Sequence, residues 1–288
     1  MTWRTHEVVF RLRSPLHIGF STIGNLRRTR PCVIGRTIWG ALTMRITRNR
    51  TAVGSANDSR AYREVGQRIH DSLAFTYFFP ALKNGDGYAV QWPWENKQSF
   101  RHRLIRGFAG TTQNPFGQSA EEGSLREVEF LSPHAADTGE PVFLRGYVFE
   151  KNGDVPDWRG ALNRLQLGGD RGYGWGDVRL AEPVRERTDG SLFDGAATVR
   201  LDRDRPVVEL AENGRLLAHA RADGLPASGE VEPLVGREWQ SDHQNPRYRH
   251  AGQHVDFSGI RFAPGGTVKA ATEFEIERFG LWRAVGNG

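Results

Sequence analysis

Residues 165–180 read LQLGGDRGYGWGDVRL, with Gly168, Gly169, Gly172, Gly174 and Gly176 interleaved by Asp170, Arg171, Tyr173, Trp175 and Asp177. Glycine-dense backbone lets a phosphate chain approach main-chain N–H groups closely. A guanidinium can grip a phosphate with two parallel hydrogen bonds, and aromatic rings can stack on bases. The eight residues Gly168, Gly169, Arg171, Gly172, Tyr173, Gly174, Trp175 and Gly176 are therefore candidates for contact with RNA. The spacing mimics a GxGxxG fingerprint, but it follows a helix and leads into a strand, the reverse of the dinucleotide context. The alternative is a tight loop that only packs the preceding helix against a sheet.

A second candidate lies upstream. The segment STIGNLRRTRPCVIGR (21–36) supplies Arg27, Arg28, Arg30 and Arg36 without an acid, just ahead of a helix. Helix N-termini attract anions. His17, in SPLHIG, is either a hydrogen-bonded structural residue or a general base for attack by a 2′-hydroxyl. No partner acid is evident beside it. His243, His250 and His254 have one helix-like spacing among them, but Gly252 interrupts it and no cysteine or carboxylate set completes a metal site. Neither a metal nor a cofactor is expected.

The charge is unevenly laid out. The chain has 288 residues, net charge +5 and 39 Lys+Arg, of which only Lys83, Lys97, Lys151 and Lys269 are lysine. The first fifty residues hold ten arginines against Glu7 alone, and the first aspartate is Asp58. So one-sided a segment repels itself unless something anionic faces it, and phosphate is the leading candidate. Arginine for lysine is also what a GC-rich genome encodes, so the bias alone proves no partner. A lone cysteine, Cys32, excludes an internal disulfide and fits a reducing cytoplasm. No apolar run is long enough for a membrane span and no secretory leader is evident, so a soluble, cytoplasmic protein without membrane partners is expected.

The elements that must position these residues follow from periodicity. HEVVFRLR (6–13) alternates as a strand, and residues 20–34 read as irregular. Ile38, Leu42 and Ile46 share one stripe of a helix over 35–49, and a second helix covers 58–72. The apolar run 73–82 and the turn KNGDG suggest a hairpin. Residues 95–125 read as a long exposed loop or insertion, followed by strands near 125–131 and 141–150. A helix over 157–167 enters the glycine run, and a strand over 177–183 leaves it. The fold class is thus α+β. A ferredoxin-like, RRM-like βαββαβ domain over 1–187 carries an insertion at about 53–125 and the Gly-rich loop. A linker at 188–197 leads to a β-rich module over 196–288.

Three blocks together, SPLHIG, PCVIGRTIWGALTMRI and GGDRGYGWGDVRL, resemble the RAMP superfamily of CRISPR-associated proteins. The match covers the three blocks within residues 8–182; no motif covers the last third. The resemblance implies a crRNA-binding subunit of a type III effector complex in antiviral defence. Its partners would be crRNA, target RNA, other RAMP subunits and a large polymerase/cyclase-like subunit. It implies that the glycine loop faces RNA, that His17, Gly19, Arg36 and Thr37 match the first two blocks, and that residues 73–125 form a β-hairpin thumb. Target-cleaving members carry an aspartate between the first strand and the helix; none is present here. Over 100 residues follow the glycine loop, unlike the stand-alone processing ribonucleases. The reading is a non-catalytic subunit capping the crRNA 5′ handle. Its rivals are a backbone or 3′-terminal subunit, a metal-independent endoribonuclease using His17, and a protein-interaction module without RNA.

Overall fold

The computed structural model describes residues 3–50, 59–114, 116–117, 119–153, 155–240 and 254–286. It is a mixed α/β molecule, mostly strands, with four α-helices and several sheets among these residues. The first half contributes β1 (Trp3–Leu12), β2 (Gly19–Ile23), β3 (Leu26–Thr29), α1 (Gly35–Arg50), α2 (Ser59–Ser72), β4 (Leu73–Phe75), β5 (Phe79–Asn84) and β6 (Gly87–Val90). Then come α3 (Lys97–Leu104), β7 (Ile105–Gly110), the short pair β8 (Gln113–Asn114) and β9 (Ser119–Ala120), and β10 (Arg126–Leu131). β11 (Phe143–Lys151), α4 (Trp158–Leu162), β12 (Val178–Leu180) and β13 (Arg185–Arg187) complete it.

The central sheet has the order β12-β1-β11-β5-β6, with β4 also on β11 and β13 also on β1. Its neighbours along β1 and β11 are all antiparallel. β11 explains why this sheet sits in the middle of the molecule. Leu144 and Val148 enter one apolar cluster with Ile38, Leu42, Ile46 and Trp158 of the helices. Tyr147 and Phe149 enter another, with Val208, Phe274, Ile276 and Trp282 from the C-terminal part. Side chains alternate across a strand, so a strand buried at eight of its nine residues must be covered on both faces.

The second covering layer is an eight-stranded sheet. Its strands are β14 (Ser191–Leu192), β15 (Ala197–Arg200), β16 (Val207–Leu210), β17 (Ala220–Arg221), β19 (Val231–Glu238), β20 (His254–Phe262), β22 (Thr272–Ile276) and β23 (Trp282–Ala284). The order is β14-β15-β16-β22-β23-β17-β20-β19, and β18 (Ala227–Ser228) pairs separately with β21 (Thr267–Val268). The β-rich C-terminal part is therefore sheet-on-sheet with the first half, not a bead on a linker. Arg30 of the first half forms a bidentate ion pair with Glu232 at 2.8 and 2.9 Å, and His219 bridges Glu232 to the Tyr77 hydroxyl.

Four local expectations need correction. Residues 20–34 are not irregular: β2 and β3 form a hairpin turned at Gly24, whose φ is +58°. β3 pairs with β10, and β10 with β7, giving a separate four-stranded sheet. Residues 95–125 are mostly exposed beyond 105, as expected of an insertion, but they are not simply a loop: they hold α3 and the strands β7, β8 and β9. α3 starts where Asn96 Oδ1 accepts from Ser99 N–H at 2.9 Å, and it buries Phe100 and Leu104. Nor does an insertion run unbroken from 53 to 125, because 73–90 supply β4, β5 and β6 of the central sheet, with Phe75, Phe78 and Phe79 fully buried. Finally, α4 stops at Leu162, short of 167. Leu165 and Leu167 are both buried on an extended stretch, and Gln166 between them bridges to Asp177.

One buried group gives the fold an acid limit. His70 on α2 stacks on Trp39 of α1 at 4.9 Å and meets Phe279 edge-on at 4.7 Å. Burial, and then the charges of Arg278, Arg205 and Arg36, push its imidazole down to about 3 from an ordinary 6.5. The unfolded chain takes up this proton below pH 6.5 while the folded one refuses it until about 3, so stability drops as pH falls through that window. Replacing His70 by Phe should remove about 2 kcal/mol of the stability loss between pH 6.5 and 5. Urea unfolding at the two pH values measures it.

Candidate nucleic-acid interface

The glycine loop is held by backbone hydrogen bonds to the segment that follows β1. Gly169 N–H donates to the His17 carbonyl at 2.9 Å and Gly176 N–H to that of Pro15 at 2.7 Å. Leu167 N–H closes the neck onto the Gly176 carbonyl at 2.8 Å, and Asp177 N–H donates to Ser14 Oγ at 2.9 Å. Two glycines are demanded by this docking. Gly168 and Gly176 have φ of +74° and +80°, and a Cβ would run into the carbonyls of His17 and Leu167 respectively. Gly172 by contrast faces open space. Gln166 spans the interior, its amide donating to the Arg171 and Trp175 carbonyls. Two blocks that lie 150 residues apart in the sequence are thus one physical unit.

His17 lies beneath this unit, 8% exposed, donating its Nδ1–H to the Glu129 carbonyl at 2.7 Å. No described carboxylate side chain is hydrogen-bonded to it. The imidazole ties the loop's landing strip to β10, and that is the role its contacts display.

On one side of the loop lies a cleft of about 570 Å³ between α1, α2 and β19. His17, Gly19, Arg36, Thr37, Gly168, Gly169 and Arg171 line it together, so these sequence-derived candidates do converge. Five arginines, 36, 48, 63, 171 and 237, line it against one carboxylate, Glu238, among the described residues. Trp39, Tyr62 and Trp239 supply rings, the last two 5.2 Å apart. Positive charge continues past the loop. Arg45 Nε donates to the Arg164 carbonyl at 3.0 Å. Burial, and then the neighbouring charges of Arg48, Arg164 and Arg179, hold its guanidinium below the usual value. Like charges crowded in this way favour an anion between them.

The remaining candidates separate. Arg30 is committed to Glu232, and Arg36 donates to Glu238 at 3.1 Å and Asp256 at 2.6 Å while lying over the Phe279 ring. Part of the anion that the N-terminal arginines require is therefore the protein's own, which corrects the assignment of the whole segment to phosphate. Arg27 is exposed on the β2–β3 hairpin, and Arg28 lies 3.9 Å from Glu129 and over Phe20. Tyr173 and Trp175 turn to the other side of the loop, towards β7 and β10, with Gly172 and Gly174 in the exposed turn between. Sequence reading missed Arg48, Arg63, Arg237 and Tyr62. The one available signal was α2's arginines alternating with Tyr62, a pattern shared with any solvated helix. Of the histidine cluster, His243 and His250 lie outside the described residues, and His254 begins β20. The described residues contain no group of three metal-ligating side chains, and no described helix is long and apolar enough to cross a membrane.

No protein-family model matches the chain, and no curated protein does. Solved structures that it is similar to include chains of Type III-B Cmr-beta complexes. One, from a complex bound to cognate target RNA and AMPPnP, is 12% identical with a TM-score of 0.47, covering 91% of this chain and 86% of that one. A second, bound to cognate target RNA, is 8% identical with a TM-score of 0.39, covering 61% and 96%. A third, from the apo state, is 9% identical with a TM-score of 0.40, covering 64% and 98%. Likeness at this level settles neither a family nor a function.

The docking geometry makes a contrast that can be measured. Gly176→Ala should cost about 1–3 kcal/mol, because it combines a positive φ with a backbone collision. Gly172→Ala, a few residues away, should be neutral within about 0.5 kcal/mol. Denaturant midpoints of the two variants are the readout.

Proposed function

We propose that this chain is a crRNA-binding subunit of a type III CRISPR effector complex, without chemistry of its own, and that it caps the 5′ handle of the guide. The observation that carries the reading is the arginine- and ring-lined cleft built directly on the docked glycine loop. A single strand can lay phosphates along such a groove and stack bases on its rings. The three sequence blocks that resemble the RAMP superfamily meet at this cleft. The strand order of the central sheet, with α1 and α4 on one face, supports the ferredoxin-like reading.

The capping position is supported by the C-terminal sheet, which occupies the face away from the helices. Its outer hairpin exposes Val231, Val235, Val255, Phe257 and Ile260, each at least half exposed, a patch suited to a neighbouring subunit. The β7–β10 arm, with Phe116 97% exposed in the turn at its end, is the segment we assign as the thumb. His17 has no place as a general base in this reading.

Purification from the native host at low salt, followed by sequencing of bound nucleic acid, tests the assignment: repeat-derived RNAs with a common 5′ end and larger partner proteins are expected. In vitro, Arg63→Ala and Arg171→Ala should each reduce the slope of log affinity against log salt by about 0.7 for single-stranded RNA. Unchanged slopes would remove the cleft from the binding surface. Cleavage of repeat RNA that disappears in His17→Ala would replace the binding reading with the ribonuclease.

A further inference from the structure

The far side of the glycine loop carries a second, smaller cavity, about 340 Å³, closed by the β7–β10 arm. We infer that it is a pocket for one everted nucleobase, separate from the phosphate-tracking cleft; this rests on the RNA-binding reading above. Its walls are aromatic. Tyr173 is 70% exposed and Phe108 48% exposed, an unusual state for two rings facing one cavity. Trp175 packs edge-on against Phe108 at 6.1 Å and Phe130 at 5.1 Å, which fixes the cavity's back wall to the arm. The Arg126 guanidinium lies over the Tyr173 ring, 4.8 Å from its centroid.

The polar groups suit the edge of a base. Arg126 Nη1 and Asp170 Oδ1 are 4.0 Å apart, too far for a hydrogen bond. A donor and an acceptor therefore stand side by side at the cavity wall, and every base presents a complementary acceptor–donor pair on its Watson–Crick edge. Asp170 holds this position with φ of +52°. Aspartate is among the few residues other than glycine that enter this left-handed region readily, so the turn itself presents the carboxylate to the cavity. The loop thus has two working sides. Arg171 turns to the cleft and reaches Met44 of α1, while Tyr173, two residues on, turns to the pocket. A strand crossing the loop can keep its phosphates in the cleft and drop one base over the edge.

The test uses single-stranded RNA carrying 5-iodouridine, which photocrosslinks to a ring stacked on it. Mass spectrometry of the intact chain should place a crosslink at Tyr173 or Phe108. Tyr173→Ala should lose it and weaken binding roughly 5- to 100-fold, the range for one stacked base, whereas Tyr173→Phe should keep both. Tyr173 is exposed and engaged by the Arg126 guanidinium over its ring, so Tyr173→Phe should match the parent in denaturant midpoint and Tyr173→Ala should fall only slightly below it. Salt-dependent RNA binding with crosslinks only at Trp39, Tyr62 or Trp239 would overturn the pocket and leave the cleft standing. Absence of RNA binding altogether would overturn both. Loss of a protein neighbour in Tyr173→Ala with RNA affinity unchanged would make the cavity a protein contact instead.

Discussion

Arg30 and Glu232 meet as a bidentate pair in the seam between the two halves of the molecule, and this pairing decides what the N-terminal arginine excess can be used for. Burial opposes the charge of Glu232, but hydrogen bonds from His219 and Arg30 outweigh it and hold the carboxyl down to about 2. The pair therefore stays ionised, and each partner leaves the other stranded if removed. Arg36 repeats the arrangement in the first turn of α1, against Glu238 and Asp256. The acids of β19 and β20 are the counter-charge for Arg30 and Arg36, while Arg4, Arg13 and Arg28 face Glu150, Asp177 and Glu129 of the first half. The C-terminal sheet is thus a structural requirement of the first half, and its apolar inner face covers the side of the central sheet that the helices leave open.

Because the seam takes Arg30 and Arg36, the arginines left facing outward are those on the later part of α1, on α2 and on the glycine loop. Around Arg45, burial and then the charges of Arg48, Arg164 and Arg179 hold the guanidinium below its usual value, with Asp177 3.5 Å from Arg179. That contrast separates two uses of the same side chain. A guanidinium facing a carboxylate at fixed distance is part of the fold, and one facing other guanidiniums is stabilised only when an anion arrives.

Much of this arrangement was legible in the sequence where local chemistry decides structure. The helical stripe of Ile38, Leu42 and Ile46 is buried as its spacing requires, and the KNGDG turn closes the β5–β6 hairpin. The glycine run announced a backbone that must approach another closely. What was not legible depends on partners distant in the chain. Arg30 and Glu232 are 202 residues apart, so a one-sided segment cannot reveal which of its charges are already answered. The β2–β3 hairpin lacks apolar alternation and owes its order to β10, which pairs Val128 with Arg27. α3 is polar apart from Phe100 and Leu104, too weak a pattern to set against a loop.

The loop shows why docking and recognition can be separated in this protein. Its position depends on main-chain bonds from Gly169 and Gly176 to His17 and Pro15, and on the two glycines that a Cβ would displace. None of these involves the side chains of Arg171 or Tyr173, which are both exposed. Evolution can therefore change what the loop recognises without changing where it sits, and a ligand meets groups already placed. Less conformational entropy is then lost on binding than with a loop that must first be ordered. The reverse also holds: a change at Gly176 leaves every recognition side chain intact yet moves them all, so its effect on binding should exceed anything its chemistry alone would suggest.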